Sequence, residues 1–177
     1  KQTCILIMGM HRSGTSAITG TLNFLDVYLG SNLLNPGKEN PKGFFENKHI
    51  LELNEKLLND VYGDWDFPFY SQSNVFSKKH ITRLEKLIKK EFKGRQIFAI
   101  KDPRLAYLLP LYIKALTNMK VNIKVIIPTR NPLEVANSLT RRNQFTQEKG
   151  LLLWALHFLL TEKFTRALPR IFISFDE

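Results

Sequence analysis

Residues 9–16 have side chains and a spacing that suit the binding of an oxyanion. Two glycines, Gly9 and Gly14, and a following hydroxyl residue give the pattern of a phosphate-binding loop, with Thr15 in place of the usual lysine. Glycine lets backbone amides approach an anion closely, and the amides that open a helix point toward it. Arg12 offers a cation inside the loop. The pattern predicts anion binding and disfavours an ATPase or GTPase, while an ordinary glycine-containing turn is the alternative.

A second candidate anion site follows the third apolar run of the chain. Arg130 comes shortly after that run, and Pro132 opens a predicted helix that carries Ser138. An arginine at a strand end and a serine in the next helix can converge on one phosphate, because open α/β sheets bind ligands at the carboxyl ends of their strands. The alternative is a surface arginine and a solvated serine.

Apolar runs that alternate with amphipathic segments predict the elements that position these residues. The predicted strands cover residues 4–8, 96–100, 123–127 and 171–175. The predicted helices run from Thr15 or Ser16 to about Tyr28, over 48–62, from an N-cap at Ser77 to Phe92, and over 105–118, 132–142 and 147–168. Residues 29–47 are predicted to form a long loop, of a kind that is usually functional or disordered.

The alternation of strands and helices predicts one α/β domain over residues 1–177, with three layers (α/β/α) around a central parallel sheet. Pro110 is expected to kink or interrupt its helix. Trp154 and the leucines beside it are expected in the core.

The composition favours a soluble globular protein with anionic partners. The 177 residues include 26 Lys plus Arg against 16 Asp plus Glu, which gives a formal net charge of +10. Such a charge indicates a nucleotide, a sulfated or phosphorylated substrate, nucleic acid or an acidic membrane surface. The single cysteine, Cys4, excludes an intramolecular disulfide and favours a reducing, cytoplasmic compartment. The longest apolar stretch, residues 151–160, is too short for a transmembrane segment.

The ordered set of motifs resembles the P-loop sulfotransferases that use 3′-phosphoadenosine 5′-phosphosulfate (PAPS), and in particular their bacterial branch. The segments that carry the resemblance are GMHRSGTS, NPKGFFEN, KDPRL, RNPLEVANSL, GLLLW and ISFDE. The resemblance implies a P-loop NTPase-like fold in which the 5′-phosphosulfate is bound by Arg12, Ser13, Gly14, Thr15 and Ser16. It also implies that Arg130 and Ser138 bind the 3′-phosphate.

Under this resemblance, Glu46 is the candidate general base. Some sulfotransferases have a glutamate at about this place, and an acceptor hydroxyl becomes a good nucleophile only when a base takes its proton. The alternative is a carboxylate that faces Asn47 and the start of the next helix. His11 and His49 are weaker candidates for the base.

Lys101 and Arg12 are the candidate catalytic cations. Lys101 matches a catalytic lysine of the tyrosylprotein sulfotransferase-like enzymes, where it would stabilise the charge that develops on the leaving phosphate. Asp102 is expected to orient Arg104 or Lys101, or to bind nothing.

The resemblance therefore predicts a PAPS-dependent sulfotransferase that transfers a sulfuryl group to an acceptor hydroxyl or amine. A saccharide is the expected acceptor, because the bacterial relatives are commonly found in polysaccharide pathways. No metal is expected, and no nucleic-acid partner, since the chain has no zinc-finger, RNP-type or helix-turn-helix signature. The family usually continues past the strand that ISFDE resembles, so the sequence is expected to lack its C-terminal segment.

Two alternatives and two surface features stay open at this stage. The alternatives are a P-loop small-molecule kinase and a non-enzymatic basic module that binds polyanions. The basic helix around residues 78–90 is either a solvated face or a site for an acidic polysaccharide. The aromatic loop either lines an acceptor pocket or covers the core; its residues are Trp65, Phe67, Phe69 and Tyr70.

Overall fold

The chain folds into strands and helices in the predicted order. The structure, a computed structural model, describes residues 1–38, 40–67 and 76–175. Within these ranges the strands are β1 (Thr3–Ile7), β2 (Ile97–Lys101), β3 (Asn122–Thr129) and β4 (Arg170–Ser174). The helices are α1 (Thr15–Phe24), α2 (Lys48–Val61), α3 (Lys78–Phe92), α4 (Leu105–Asn118), α5 (Pro132–Asn143) and α6 (Gln147–Thr165).

The four strands form one parallel sheet in the order β2-β1-β3-β4. Ile7 of β1 pairs with Lys101 on one side and with Ile126 on the other. The chain leaves β1 toward one edge of the sheet and later crosses to the other, so β1 and β3 flank a topological switch point. The loops that follow β1, β2 and β3 meet at this carboxyl edge. The predicted α/β fold with a central parallel sheet is confirmed.

Alternate residues of β1 point into two separate cores. Cys4, Leu6 and Met8 are buried in the larger core, which α2, α3 and α4 cover. Ile7 belongs to the smaller core on the opposite face, where Ile18 of α1 packs. The sheet therefore lies between two layers, as the three-layer prediction requires.

The first helix is shorter than predicted. α1 ends at Phe24 rather than near Tyr28, and Asp26 adopts a left-handed conformation with φ 60°. The carbonyl of Tyr28 accepts a hydrogen bond of 2.9 Å from the amide of Ala99 in β2. The chain leaves the helix because this segment pairs with the edge of the sheet, a long-range contact that local apolar spacing does not reveal.

Pro110 does not interrupt its helix, and α6 is shorter than predicted. Pro110 lies inside α4 and does not end it; most side chains of this helix are buried, and packing outweighs the lost hydrogen bond. α6 ends at Thr165, and Leu168, the predicted last residue, precedes Pro169, a position that disfavours helical geometry.

The apolar run of α6 is only partly core, contrary to prediction. Leu153 is fully buried, whereas Leu152 and Leu159 are 50% and 63% exposed. Trp154 is partly buried and stacks on Phe158 with ring centroids 5.3 Å apart. A helix at the surface buries one face, so a continuous apolar run leaves part of its leucines exposed.

Helices α5 and α6 approach closely where Gly150 meets Ala136. A Cβ atom on Gly150 would lie 2.9 Å from the Cα of Ala136 and 3.0 Å from its Cβ. Glycine permits this contact without displacement of α5. Because Ser138 lies two residues after Ala136 on α5, the contact also helps to position Ser138, a predicted site residue.

His157 of α6 is fully buried and neutral. Its Nδ1 lies 2.8 Å from the carbonyl oxygen of Leu153, and its ring packs edge-on against Tyr107. Burial disfavours the imidazolium and lowers the pKa of His157 to about 4.

Acid should therefore destabilise the protein through His157. Its pKa is ordinarily about 6.5 in an unfolded chain, so below that pH the unfolded state binds a proton that the folded state rejects. The penalty grows as the pH falls and reaches about 3 kcal/mol near pH 4. We expect urea titrations at about pH 7 and about pH 4.5 to show a smaller loss of unfolding free energy for His157→Met than for wild type. Equal losses would assign the acid sensitivity to other groups.

Candidate functional site

The loop between β1 and α1 presents a helix terminus and a buried hydroxyl. Gly14 is the N-cap residue of α1 with φ 86°, and no described side chain caps this helix. The first-turn amides therefore remain suited to an anion. Ser13 is 2% exposed, and its hydroxyl has no hydrogen-bond partner among the described residues. Such an atom costs about 1–3 kcal/mol, so the loop fits a ligand with an anionic oxygen.

A lysine from a neighbouring strand lies where the loop itself has none. A Cβ atom on Gly9 would lie 3.1 Å from Cγ2 of Thr15, so Thr15 closes the loop by packing. The next hydroxyl, Oγ of Ser16, accepts a hydrogen bond of 3.3 Å from Nζ of Lys101. β2 therefore supplies the ammonium group at the start of α1.

Three residues that were predicted to bind two different phosphate groups are in contact with one another. Nε of Arg12 donates to Oγ of Ser138 over 2.8 Å. Nη1 of Arg130 donates to the backbone carbonyl of Arg12 over 3.3 Å. Arg12 has φ 72°, which is uncommon for a residue with a side chain. The structure thus brings the two predicted anion sites together between β1 and β3.

Arg130 is also oriented from α5 and from the end of β4. Its guanidinium donates to Oε2 of Glu134 over 2.8 Å and lies 4.9 Å from the centre of the Phe175 ring. The same ring covers Gly14, where a Cβ atom would lie 2.2 Å from Phe175 Cδ2. Phe175 therefore contacts both the loop and the strand-end arginine.

Glu46 and Lys101 form a buried ion pair. Nζ of Lys101 donates to Oε1 of Glu46 over 2.5 Å, and the two side chains are only 3% and 8% exposed, in that order. The ammonium also donates to the carbonyl of Phe44 over 3.1 Å. The structure brings the predicted base next to the predicted charge-stabilising lysine.

Asn47, and not Glu46, caps helix α2. Oδ1 of Asn47 accepts hydrogen bonds from the amides of His49 and Ile50 at 3.0 and 3.1 Å. Its Nδ2 donates to Oε2 of the buried Glu91 over 2.8 Å. Since the cap is filled, the side chain of Glu46 turns to the sheet edge instead.

The pKa of Glu46 is raised above its ordinary value. Burial is the largest cause because it disfavours the charged carboxylate. The charge of Lys101 opposes this effect, while the charge of Asp102 adds to it. A carboxylate with a raised pKa is a stronger base.

Asp102 orients Arg104, one of the outcomes expected for it. Its Oδ1 accepts hydrogen bonds of 2.9 and 3.0 Å from the amide and Nη1 of Arg104. Oδ2 accepts from Nδ2 of Asn54 over 2.9 Å, and Oδ1 of Asn54 accepts from the Tyr112 hydroxyl over 2.7 Å. This buried chain fixes Arg104 behind the ion pair.

The site opens into a cleft of about 160 Å³. The polar side chains that line it are His11, Arg12, Thr15, Ser16, Asn40, Glu46, Lys101, Arg104 and Arg142. Sequence reasoning missed Asn40 and Arg142 as site residues. Arg142 lies in the last turn of α5, where no glycine or strand end marks it.

Of the two histidines that were considered as bases, only His11 reaches the cleft. Its ring lies 4.3 Å from the ring of Trp65, and Nε2 has no partner among the described residues. Burial, followed by the charge of Arg142, lowers the pKa of His11 well below its ordinary value, so the imidazole is neutral. His49 lines a separate groove between α2 and α3.

The aromatic loop is described only as far as Phe67. The hydroxyl of Tyr107 donates to the carbonyl of Trp65 over 3.3 Å, which ties this part of the loop to α4. Phe69 and Tyr70 lie outside the described residues, so for them both alternatives, an acceptor pocket and a cover over the core, stay open.

Comparison with solved structures shows a sulfotransferase-like fold. The chain is similar to a sulfotransferase domain from the curacin biosynthetic pathway, with 14% sequence identity and a TM-score of 0.54, over 98% of this chain and 67% of that one. An uncharacterised protein from Eubacterium ventriosum matches with 13% identity and a TM-score of 0.44, over 98% of this chain and 90% of that one. No family model matches the sequence, and no curated protein matches it. The likeness is distant and extends to the fold.

Two further observations concern metals and membranes. Across the described ranges, His, Cys, Asp and Glu side chains form no group of three or more that could hold a metal ion. None of the described helices combines the length and apolar character that a membrane span needs.

Replacement of Lys101 should make stability fall as the pH rises. Without the ammonium, the pKa of Glu46 rises further. A carboxyl group with a raised pKa favours folding at low pH, and this contribution is lost as the pH increases through the folded-state pKa. We expect Lys101→Met to lose about 3 kcal/mol of unfolding free energy near pH 7, and less near pH 4.5, in urea titrations.

The double variant Lys101→Met/Glu46→Leu is the matched control. It lacks both members of the pair, so the additional pH dependence should disappear. A pH dependence that persists in the double variant would contradict the assignment to Glu46.

Proposed function

We propose that the protein is a PAPS-dependent sulfotransferase that transfers a sulfuryl group to a saccharide hydroxyl. The observation that carries the proposal is the meeting of three features at one sheet edge: the anion-binding loop, Arg130, and the buried pair of Lys101 and Glu46. The sulfotransferase-like fold supports it. PAPS would supply the activated sulfuryl group, and the protein's own cations would neutralise the charge that develops, so the scheme requires no metal ion.

The loop and α5 would hold the donor at its two charged ends. The first-turn amides of α1, Arg12 and the Ser13 hydroxyl bind the 5′ end, which gives the buried Ser13 Oγ a partner. Arg130 and Ser138 bind the 3′-phosphate, the group that distinguishes PAPS from ATP. The Ser138 hydroxyl accepts from Arg12 and still has its own proton to donate, so it can bind both at once.

Lys101 and Glu46 would have different roles in the transfer. Lys101 lies at the start of α1 and stabilises the charge that builds on the leaving phosphate. Its charge also opposes the rise in the pKa of Glu46 that burial causes. Glu46 then accepts the proton of the acceptor hydroxyl.

A polar acceptor is supported by the lining of the cleft. Asn40 and His11 offer hydrogen-bonding groups beside the ion pair, and the Trp65 ring packs against His11. Several hydroxyls of a saccharide can be matched by such side chains, whereas an apolar acceptor would leave them unpaired.

Calorimetry should show selective binding of adenosine 3′,5′-bisphosphate over ADP and Mg·ATP. Arg130→Ala should weaken binding of the bisphosphate by about 1.5–3 kcal/mol, because a charge-assisted contact is lost. Arg141→Ala, which removes an exposed charge from α5, should leave the affinity for the bisphosphate within about twofold. Preference for Mg·ATP would overturn the proposal in favour of phosphoryl transfer.

Substitution of Glu46 should separate binding from transfer. Glu46→Gln keeps the size of the side chain but cannot take a proton, so we expect unchanged bisphosphate affinity. Transfer from radiolabelled PAPS to a panel of saccharides should fall about 10²–10⁴-fold. A variant that retains most of its transfer rate would show that another group, with His11 as the next candidate, is the base.

A further inference from the structure

The outer face of α3 carries a dense group of positive charges that the proposed reaction does not use. We call it the basic face; it consists of the exposed side chains of Lys78, Lys79, Arg83, Lys86, Lys89, Lys90 and Lys93. None of these cations forms an ion pair with a carboxylate in the part of the chain that the structure describes. Of the two acids on α3, Glu91 is buried and Glu85 accepts from Asn118.

Most of this arrangement works against the stability of the helix, although Lys89 and Lys90 lie in the last turn, where the helix dipole favours cations. Lys78 and Lys79 occupy the first turn, which has no acidic residue, although the helix dipole favours anions there. Further along, Arg83 and Lys86 repeat the same sign at three- and four-residue spacing, and each such pair costs about 0.2–0.5 kcal/mol. A bound polyanion would relieve both effects.

A groove of about 270 Å³ lies between α2 and α3, beside the basic face. Lys56 and Arg83 line it together with His49, and Glu52 is the carboxylate at its wall. The groove and the cleft share one helix, since Leu51 of α2 lines the cleft and its neighbour Glu52 lines the groove. An extended ligand on the basic face would therefore be separated from the cleft by α2 alone.

The chemistry of the face favours a sugar polymer over a membrane or a nucleic acid. Leu84, Ile88 and Phe92 of α3 are buried in the core, and Ile81 and Leu87 are partly buried against it. The helix therefore has no fully exposed large apolar side chain to insert into a bilayer. The exposed positions of α3 hold no aromatic ring on which a base could stack. Except for Arg83, the cations are lysines. An ammonium group is a point charge and does not present the planar fork with which arginine makes bidentate hydrogen bonds to base edges.

We propose that the basic face and the adjoining groove bind an acidic polysaccharide, with carboxylate or sulfate groups along an extended chain. The same polysaccharide also carries the acceptor hydroxyl, and this part of the proposal rests on the proposed function. Its charged groups lie against the lysines while one sugar reaches past α2 into the cleft.

The test compares two variants of equal charge by titration with a chondroitin sulfate oligosaccharide. The first removes four charges from the basic face: Lys79→Gln, Arg83→Gln, Lys86→Gln and Lys90→Gln. The second removes four exposed charges elsewhere: Lys114→Gln, Lys120→Gln, Lys124→Gln and Lys163→Gln. We expect the first to weaken binding at least about tenfold and to lower the slope of log affinity against log salt by about 3, and the second to change affinity less than about twofold.

Two outcomes would overturn the assignment of the basic face. Equal losses in the two variants would show that binding follows net charge alone. Tighter binding of oligodeoxythymidylate or of phosphatidylserine vesicles, with the same dependence on the basic face, would assign the face to nucleic acid or membrane. Calorimetry with the bisphosphate runs in parallel: a wild type that binds the oligosaccharide but not the nucleotide would overturn the proposed function and leave the basic face standing.

Discussion

The buried contact between Lys101 and Glu46 is the interaction on which the site depends. A buried ion pair loses the hydration of both charges, and its mutual attraction repays this loss only when further hydrogen bonds complete it. Here the ammonium reaches Ser16 at the start of α1 and the carbonyl of Phe44 as well. One side chain at the end of β2 therefore joins the sheet, the first helix and the segment that precedes α2.

Around this contact, most buried polar groups at the carboxyl edge satisfy one another. Asp102 is bonded by Arg104 and Asn54, and Asn47 caps α2 while it holds Glu91. The exceptions near the loop are the Ser13 hydroxyl and Nε2 of His11, for which no described residue is a partner. A preorganised binding site is expected to have a few polar groups without a protein partner, surrounded by polar groups that are hydrogen-bonded to one another.

The architecture could be predicted from sequence because its signals are local. Short apolar runs, the glycines of the first loop and Pro132 at a helix start mark the parallel sheet and its connections within a few residues. The end of α1 was not predictable in this way, since the carbonyl of Tyr28 bonds to Ala99, far along the chain. The exposed leucines of α6 were missed for a related reason: an apolar run does not tell which face another helix will cover.

The site was predictable as a set of residues but not as a set of contacts. Glu46 and Lys101 were each singled out, yet their pairing joins positions 55 residues apart. The bond from Arg12 to Ser138 spans 126 residues and connects two predicted anion sites that lie far apart in the sequence. Arg142 carries no local signal, and Asn40 belongs to the NPKGFFEN segment without being marked as a cleft residue. Their presence in the cleft follows from the packing of α5 and of the segment before α2.

The contact of Gly150 with Ala136 has a consequence for which ligands the site can span. Ser138 lies on α5. At the Gly150–Ala136 contact, the smallest separation between α5 and α6 is set by backbone and Cβ atoms rather than by flexible side chains. Changes elsewhere in α6 leave that minimum separation unaltered. A larger residue at position 150 would shift α5 outward and widen the gap between Ser138 and the loop, which would favour a ligand whose two anionic groups lie farther apart.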